Sequence, residues 1–275
     1  MRGLLVGLAL ALALPAHAEG TSAAQQSADT TNWDDYEVDP LDPDFTVINL
    51  PTTLRLPKHK LAFRVTHRFS RPLGRGDFGD LLGDLFGLDS GAQIGLGLRF
   101  GLASGTQLEV YRISDKTLQF QVHQSVLRQS SGPVGLSVTA GIEGRDNFGE
   151  DRSPNVGVVA SRALGDRAAV FVAPYWIGDV DLTADGESTL ILGLGARLRL
   201  SRTLYASGEW HPRVAGFDGG GNDHILAFGL EARVGGHSFQ FNFSNDLATT
   251  PAQIARGQVG PDDFFIGFNI TRKFY

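Results

Sequence analysis

Three groups of residues in this sequence could do chemistry. Six cations, Arg64, Arg99, Arg197, Arg199, Arg233 and Lys273, recur with the acids Glu109, Glu143, Glu209 and Glu231. Confined together, they would either pair with one another or attract anions. His123 with Ser125, and Ser207 with Glu209 and His211, are the residue types of a hydrolase. Acidic clusters at 179–187 and 218–223 could offer oxygens to calcium. Spacing weighs against the last two groups. The serine and histidine pairs stand at i, i+2 in strand-like runs, which separates their side chains by roughly 7 Å, beyond the ~3 Å of a proton transfer. His67 projects from the opposite face of its run and has no partnered serine motif. The acidic clusters do not follow the spacing of a calcium loop, and neither a glycine-rich phosphate loop nor a zinc motif occurs. No catalytic residue, metal or cofactor is assigned.

Whether the cations meet depends on the elements that carry them. Their runs place apolar residues at every second position, as in Val134, Leu136, Val138, Ala140 and Ile142, or Leu190, Leu192, Leu194, Ala196, Leu198 and Leu200. A period of two is a β-strand with one apolar and one polar face. The polar partners are mostly Gly, Ser, Thr, Gln and Arg. Lysine is limited to Lys58, Lys60, Lys116 and Lys273, and glycine reaches 35 of 275 residues, well above the usual ~7%. Such a set suits a crowded interior better than a water-facing surface, which turns the apolar face towards lipid. With no cysteine there is no disulfide framework, so stability must come from a large hydrogen-bonded sheet.

Twelve such runs are legible, near 60–70, 92–101, 106–113, 117–128, 134–143, 156–163, 168–177, 189–200, 203–213, 224–234, 238–246 and 263–275. Most have the ~9–11 residues that a tilted strand needs to cross a bilayer. Connections after even-numbered runs are short. Those after odd-numbered runs are long, except near Ser114-Asp115-Lys116. Outer-membrane barrels sort their turns and loops this way, with the turns in the periplasm. Only a helix or a closed barrel satisfies every backbone group in lipid. The expected fold is therefore all-β: a closed antiparallel up-and-down transmembrane β-barrel of about 12 strands over 51–275. Aromatics near run ends, such as Phe100, Trp176, Trp210 and Phe239, could form interfacial girdles.

Strand direction then gives height. Arg64 lies early on an outward run, and Arg99, Arg197, Arg199, Arg233 and Lys273 lie late on inward ones. All six fall towards the periplasmic mouth as a basic collar inside the barrel. The alternative is that they pair with Glu109 and Glu231 and merely fill the lumen.

Ahead of the barrel, residues 1–18 read as a secretory signal peptide, with Arg2, an apolar Leu4–Leu14 stretch and cleavage after Ala18. Residues 19–50 carry no Lys or Arg and read as an acidic, flexible periplasmic tail. Its acids Asp34, Asp35, Glu37, Asp39, Asp42 and Asp44 make residues 19–46 a candidate plug for the basic mouth. A spacer or partner-binding tail is the competing reading. In the first long loop, apolar positions 78, 81, 82, 85 and 86 suit a short amphipathic helix capped by Asp77. It could enter the mouth, lie on the membrane surface or pack on its own strands.

Several stretches carry a resemblance: Asn49-Leu50-Pro51-Thr52, Thr66 to Pro72, Leu85 to Ala92, Asp115-Lys116-Thr117 and Leu127-Arg128-Gln129. They resemble a family of bacterial outer-membrane β-barrel proteins described only as a domain of unknown function, over roughly 47–275. The resemblance implies a barrel and brings no activity or catalytic residue with it. The last run, Asp263 to Tyr275, looks like the aromatic-terminated strand by which such proteins are recognised for assembly, although Tyr275 falls out of register.

The function expected from these features is a small passive channel in the cell outer membrane for small, anionic solutes. The alternatives are a non-conducting barrel that anchors a periplasmic partner through its tail and, third, an outer-membrane hydrolase. The expected contacts are outer-membrane lipid, the barrel-assembly machinery and a small anionic solute or periplasmic partner, with no nucleic acid.

Overall fold

Alternation at this length closes into a wall. The structure, a computed structural model, describes residues 41–275 apart from 88–90, 130–131, 183–185, 220, 261 and 275. Its strands are β1 (Leu61–Phe69), β2 (Ala92–Ala103), β3 (Thr106–Ile113), β4 (Leu118–Leu127), β5 (Gly135–Gly144), β6 (Glu150–Leu164), β7 (Ala168–Ile177), β8 (Thr189–Arg199), β9 (Leu204–Gly216), β10 (His224–Val234), β11 (His237–Ser244) and β12 (Phe265–Phe274). Each pairs antiparallel with its sequence neighbours, and β1 pairs with β12 from Leu61↔Phe274 to Arg68↔Gly267. Closure leaves no edge strand, the condition for holding a sheet in lipid.

These bounds agree with the alternation to within three residues except at β6, which begins at Glu150 rather than near 156. Pro154 and the polar residues around it disguise that end, since proline within a run argues against a strand. Side chains sort by face as the period requires. Leu96, Leu98, Phe120, Val122, Leu198 and Leu230 are exposed outside, while Arg99, Gln121, His123, Arg197 and Glu231 are buried inside. Among the described residues no helix is long and apolar enough to cross a membrane.

One side of the lumen departs from the expected polar interior. β7 is apolar on both faces, and Phe171, Ala173, Tyr175 and Ile177 join Ile191 and Ile225 in a buried lumenal cluster.

The short helices lie at the long-loop rim. α1 (Phe78–Gly83) has Asp77 as its cap, with Asp80 completing a capping box. It stays outside the mouth and shares an apolar groove with the outer wall. α2 (Arg145–Phe148) is a tight turn leading into β6. α3 (Pro251–Arg256), capped by Thr250 with Pro251 in its first turn, turns inward between β11 and β12, and Ala252, Gln253, Ile254 and Ala255 are buried.

A second segment fills the lumen from the short-turn rim. Residues 41–50 are buried throughout. They fold back as a hairpin, with Val47 N–H donating to the Leu50 carbonyl (2.8 Å) and Thr52 N–H to the Phe45 carbonyl (2.9 Å). The expectation of a flexible tail up to residue 50 therefore fails for 41–50. Leu41, Phe45, Val47, Ile48 and Leu50 give this stretch apolar surface to bury. The proposed signal peptide and Asp34, Asp35, Glu37 and Asp39 lie outside the described residues.

Candidate functional site in the barrel lumen

The hairpin tip is held by an acid on the wall. Glu209 of β9 accepts hydrogen bonds from three successive main-chain amides, Ile48, Asn49 and Leu50, each at 2.9 Å. Consecutive N–H groups converging on one point form an anion nest, here filled by a side chain of the same molecule. Beside it, Arg64 donates to the Ile48 carbonyl at 2.5 Å and Gln240 to the Val47 carbonyl at 2.5 Å. Arg68 bridges Asn49 (3.0 Å) and Asn269 (2.9 Å). These contacts read the hairpin's backbone as much as its side chains.

Below the tip, Asp42, Asp44 and the Pro43 carbonyl meet polar groups of the wall. Fully buried Arg197 pairs with Asp42 (3.1 Å) and Glu231 (3.0 Å) and donates to the Thr46 carbonyl (2.9 Å). Thr271 donates to Asp44 at 2.7 Å, and Lys273 donates to the Pro43 carbonyl. Across the lumen Arg99 pairs with Glu109, which also holds His123 Nε2 at 3.1 Å. The Arg99 guanidinium lies 4.6 Å from the centre of the Phe45 ring, a cation–π geometry.

The six cations predicted to form a collar do sit on the lumenal phase towards the short-turn rim, yet they do not form a ring of unpaired charge. Arg64, Arg99, Arg197 and Lys273 are engaged as described. Arg199 donates to the Ser201 carbonyl (3.2 Å), and neither it nor Arg233 forms an ion pair among the described residues. Of the acids, Glu109, Glu209 and Glu231 join this network. Glu143 serves α3 instead, accepting from Thr250 (3.1 Å) and the Ala252 amide (3.3 Å) and pairing with Arg256 (3.3 Å).

The wall is cut back where the hairpin sits. Gly193 and Gly195 of β8 face Leu50, and a Cβ added to Gly195 would stand only 2.6 Å from a Leu50 methyl. Between the hairpin tip and α3 the lumen keeps a cavity of about 50 Å³, lined by Arg64, Glu109, His123, Tyr175, His211 and Ile254 among others. That is room for water molecules only.

In the inward loop, Asp246 accepts from the amides of Ala248 (2.8 Å) and Gln258 (2.9 Å). Burial pushes its pKa above the ordinary carboxylate value, and the amide hydrogens partly offset this.

Among the described residues His123 bonds to Glu109 and not to Ser125, and no serine bonds to His211. No group of three or more potential ligands gathers as a metal site among them.

Sequence reasoning missed the amides of 48–50, the apolar seat on β7 and β8, and α3. The signals available were an apolar Val47-Ile48-Asn49-Leu50 patch inside an acidic stretch and the Thr250-Pro251 cap.

A closed antiparallel wall, apolar outside and polar over most of its inside, with long loops at one rim, defines a membrane β-barrel. Its fold is similar to "KdgM porin in complex with disordered oligogalacturonate", at 9% identity and a TM-score of 0.51 over 78% of this chain and 99% of that one. It is also similar to an outer membrane channel from Pseudomonas putida F1, at 14% identity and a TM-score of 0.51 over 80% and 97%. None of the curated proteins matches the chain. The family described as membrane bound beta barrel domain (DUF5777) matches residues 44–274, and the chain belongs to it. The match opens inside the hairpin, well before β1 begins.

Proposed function

We propose that this protein is an outer-membrane channel for small solutes that is closed at rest by its own chain. The segment 41–56, which opens with the hairpin, is the stopper on the periplasmic side, and the α3 loop narrows the opposite end. The observation that carries the reading is the division of labour in the lumen. A barrel meant to be solid fills itself with wall side chains. Here β8 presents glycines, and a separate segment, gripped through main-chain amides and ion pairs, takes up the space. Twelve strands spaced ~4.8 Å apart and tilted by ~40° give a backbone diameter of roughly 24 Å. Side chains would leave an opening on the order of 10 Å once the hairpin withdraws.

Withdrawal would also unmask charge. Asp42 and Asp44 leave with the hairpin, and Arg64, Arg68, Arg99, Arg197, Arg199, Arg233 and Lys273 then face Glu109, Glu209 and Glu231. The excess of cations favours small anionic solutes. Export by residues 1–18 and assembly through β12 belong to the same reading.

The small residual cavity favours a second reading, a permanently filled barrel that anchors a periplasmic partner through the acids upstream of residue 41. Leu50→Asp separates the two, because it places a carboxylate beside Glu209 in the seat and leaves the wall untouched. Liposome-swelling assays with the full chain should show low permeability for the wild type. The variant should admit small solutes, anions fastest. Folded L50D protein that stays impermeable would rule out the channel.

A further inference from the structure

The outer wall carries an apolar groove apart from the lumen. α1 stands off the wall beneath the long-loop rim and encloses a groove of about 590 Å³ whose lining is almost wholly hydrocarbon. Phe78, Leu81 and Leu85 form its loop side, while Phe241, Phe243 and Ile266 form its wall side. The helix is braced rather than collapsed. Arg71 pairs with Asp84 behind it, and Leu73 N–H donates to the Phe264 carbonyl (2.7 Å), which ties the loop to the start of β12. Polar struts thus hold apolar side chains apart, leaving a space that close packing would otherwise eliminate.

We infer that this groove seats one acyl chain of a lipid in the membrane leaflet at the long-loop rim. Continuity identifies the occupant. The wall residues belong to the lipid-facing phase of β11 and β12, so the groove opens onto the barrel–lipid boundary. Phe241 also lines a second groove, of about 360 Å³, which passes Phe239, Phe268 and Ile270. From Phe243 down to Phe239 is four residues, about 14 Å at ~3.4 Å per residue, comparable to the ~15 Å depth of one hydrocarbon leaflet. A single extended chain fits that length, whereas a folded peptide would bring backbone groups with no partners into it. His67 flanks the path, its ring stacked on Phe268 at 4.8 Å.

The test is photolabelling of the full-length protein in vesicles whose phospholipid carries a diazirine along one acyl chain. Adducts on residues 69–86 and 241–243 should exceed those on the equally lipid-exposed Leu96–Leu98 segment by about fivefold, a ratio equivalent to roughly 1 kcal/mol. Ile266→Trp, which fills the groove, and Leu81→Asp, which lies in the loop and not in the wall, should each remove the excess while the barrel stays folded. Even labelling around the belt, or an excess that survives both substitutions, would overturn the assignment. So would cross-links between two copies of the chain, or labelling by a free fatty acid probe with none by the phospholipid.

Discussion

Replacing Glu209 with glutamine should loosen the stopper without altering the shape of the wall. The substitution conserves volume, so no cavity forms. It removes the charge that receives three amide hydrogens, each at 2.9 Å, and turns an NH2 group towards donors. Hydrogen bonds to a charged group contribute ~1.5–3 kcal/mol each and do not add in full. Breaking one partner of a buried charged contact costs ~2–5 kcal/mol. Taking ~3 kcal/mol as the loss, the ratio of withdrawn to seated hairpin rises about 100-fold. Planar-bilayer recording reads this as open probability, and proteolysis between Leu41 and Leu56 reads it as exposure of the hairpin. Glu209→Asp, which keeps the charge on a shorter stem, should fall between the two. An E209Q protein that is folded, yet within about twofold of the wild type in both assays, would refute the claim that Glu209 holds the hairpin.

Arg197→Met leaves Glu231 and Asp42 buried without their cation. It should destabilise the protein by ~3–5 kcal/mol in urea unfolding, with part of the loss recovered by adding Glu231→Gln. Glu143→Gln weakens the grip on α3 and should cost ~1–3 kcal/mol of local stability, seen as faster amide exchange across 252–257 with the wall unchanged. Asp246 has its carboxyl pKa raised in the folded loop. Its contribution to loop stability is therefore complete below the unfolded value of ~3.9 and is lost as pH climbs through the raised value. Protection of the Gln258 amide should be greatest at the acid end of a pH series, and protection that grows with pH would contradict the assignment.

The wall was legible because a bilayer imposes one rule on every strand. Val122 must face lipid and His123 must not, and that rule repeats along the chain without reference to tertiary detail. The turns were legible for a related reason, since closing an antiparallel pair at the short rim needs only residues such as Gly235-Gly236. The lumen obeys no such period. Ile48, Asn49 and Leu50 act through their amides, which carry no side-chain signature, and their partner Glu209 lies some 160 positions away. Phe171 and Ile191 look like ordinary strand residues until a hairpin is placed against them. The cations on the lumenal phase could be ranked by height from strand direction alone. Which of them were engaged could not, because Asp42 and Pro43 reach Arg197 and Lys273 only once the segment turns inward.

On this proposal residues 41–56 are a removable stopper. Thr53 Oγ1 lies 2.5 Å from Ser161 Oγ on β6, and the chain has no cysteine, so Thr53→Cys with Ser161→Cys allows a disulfide to pin the hairpin to the wall. Single-channel recording of the full chain carrying this pair together with Glu209→Gln is the most direct test. Silence in the oxidised protein, followed by ion-conducting steps on adding reductant, is the predicted result. Conduction before reduction, or silence after it, would contradict the account.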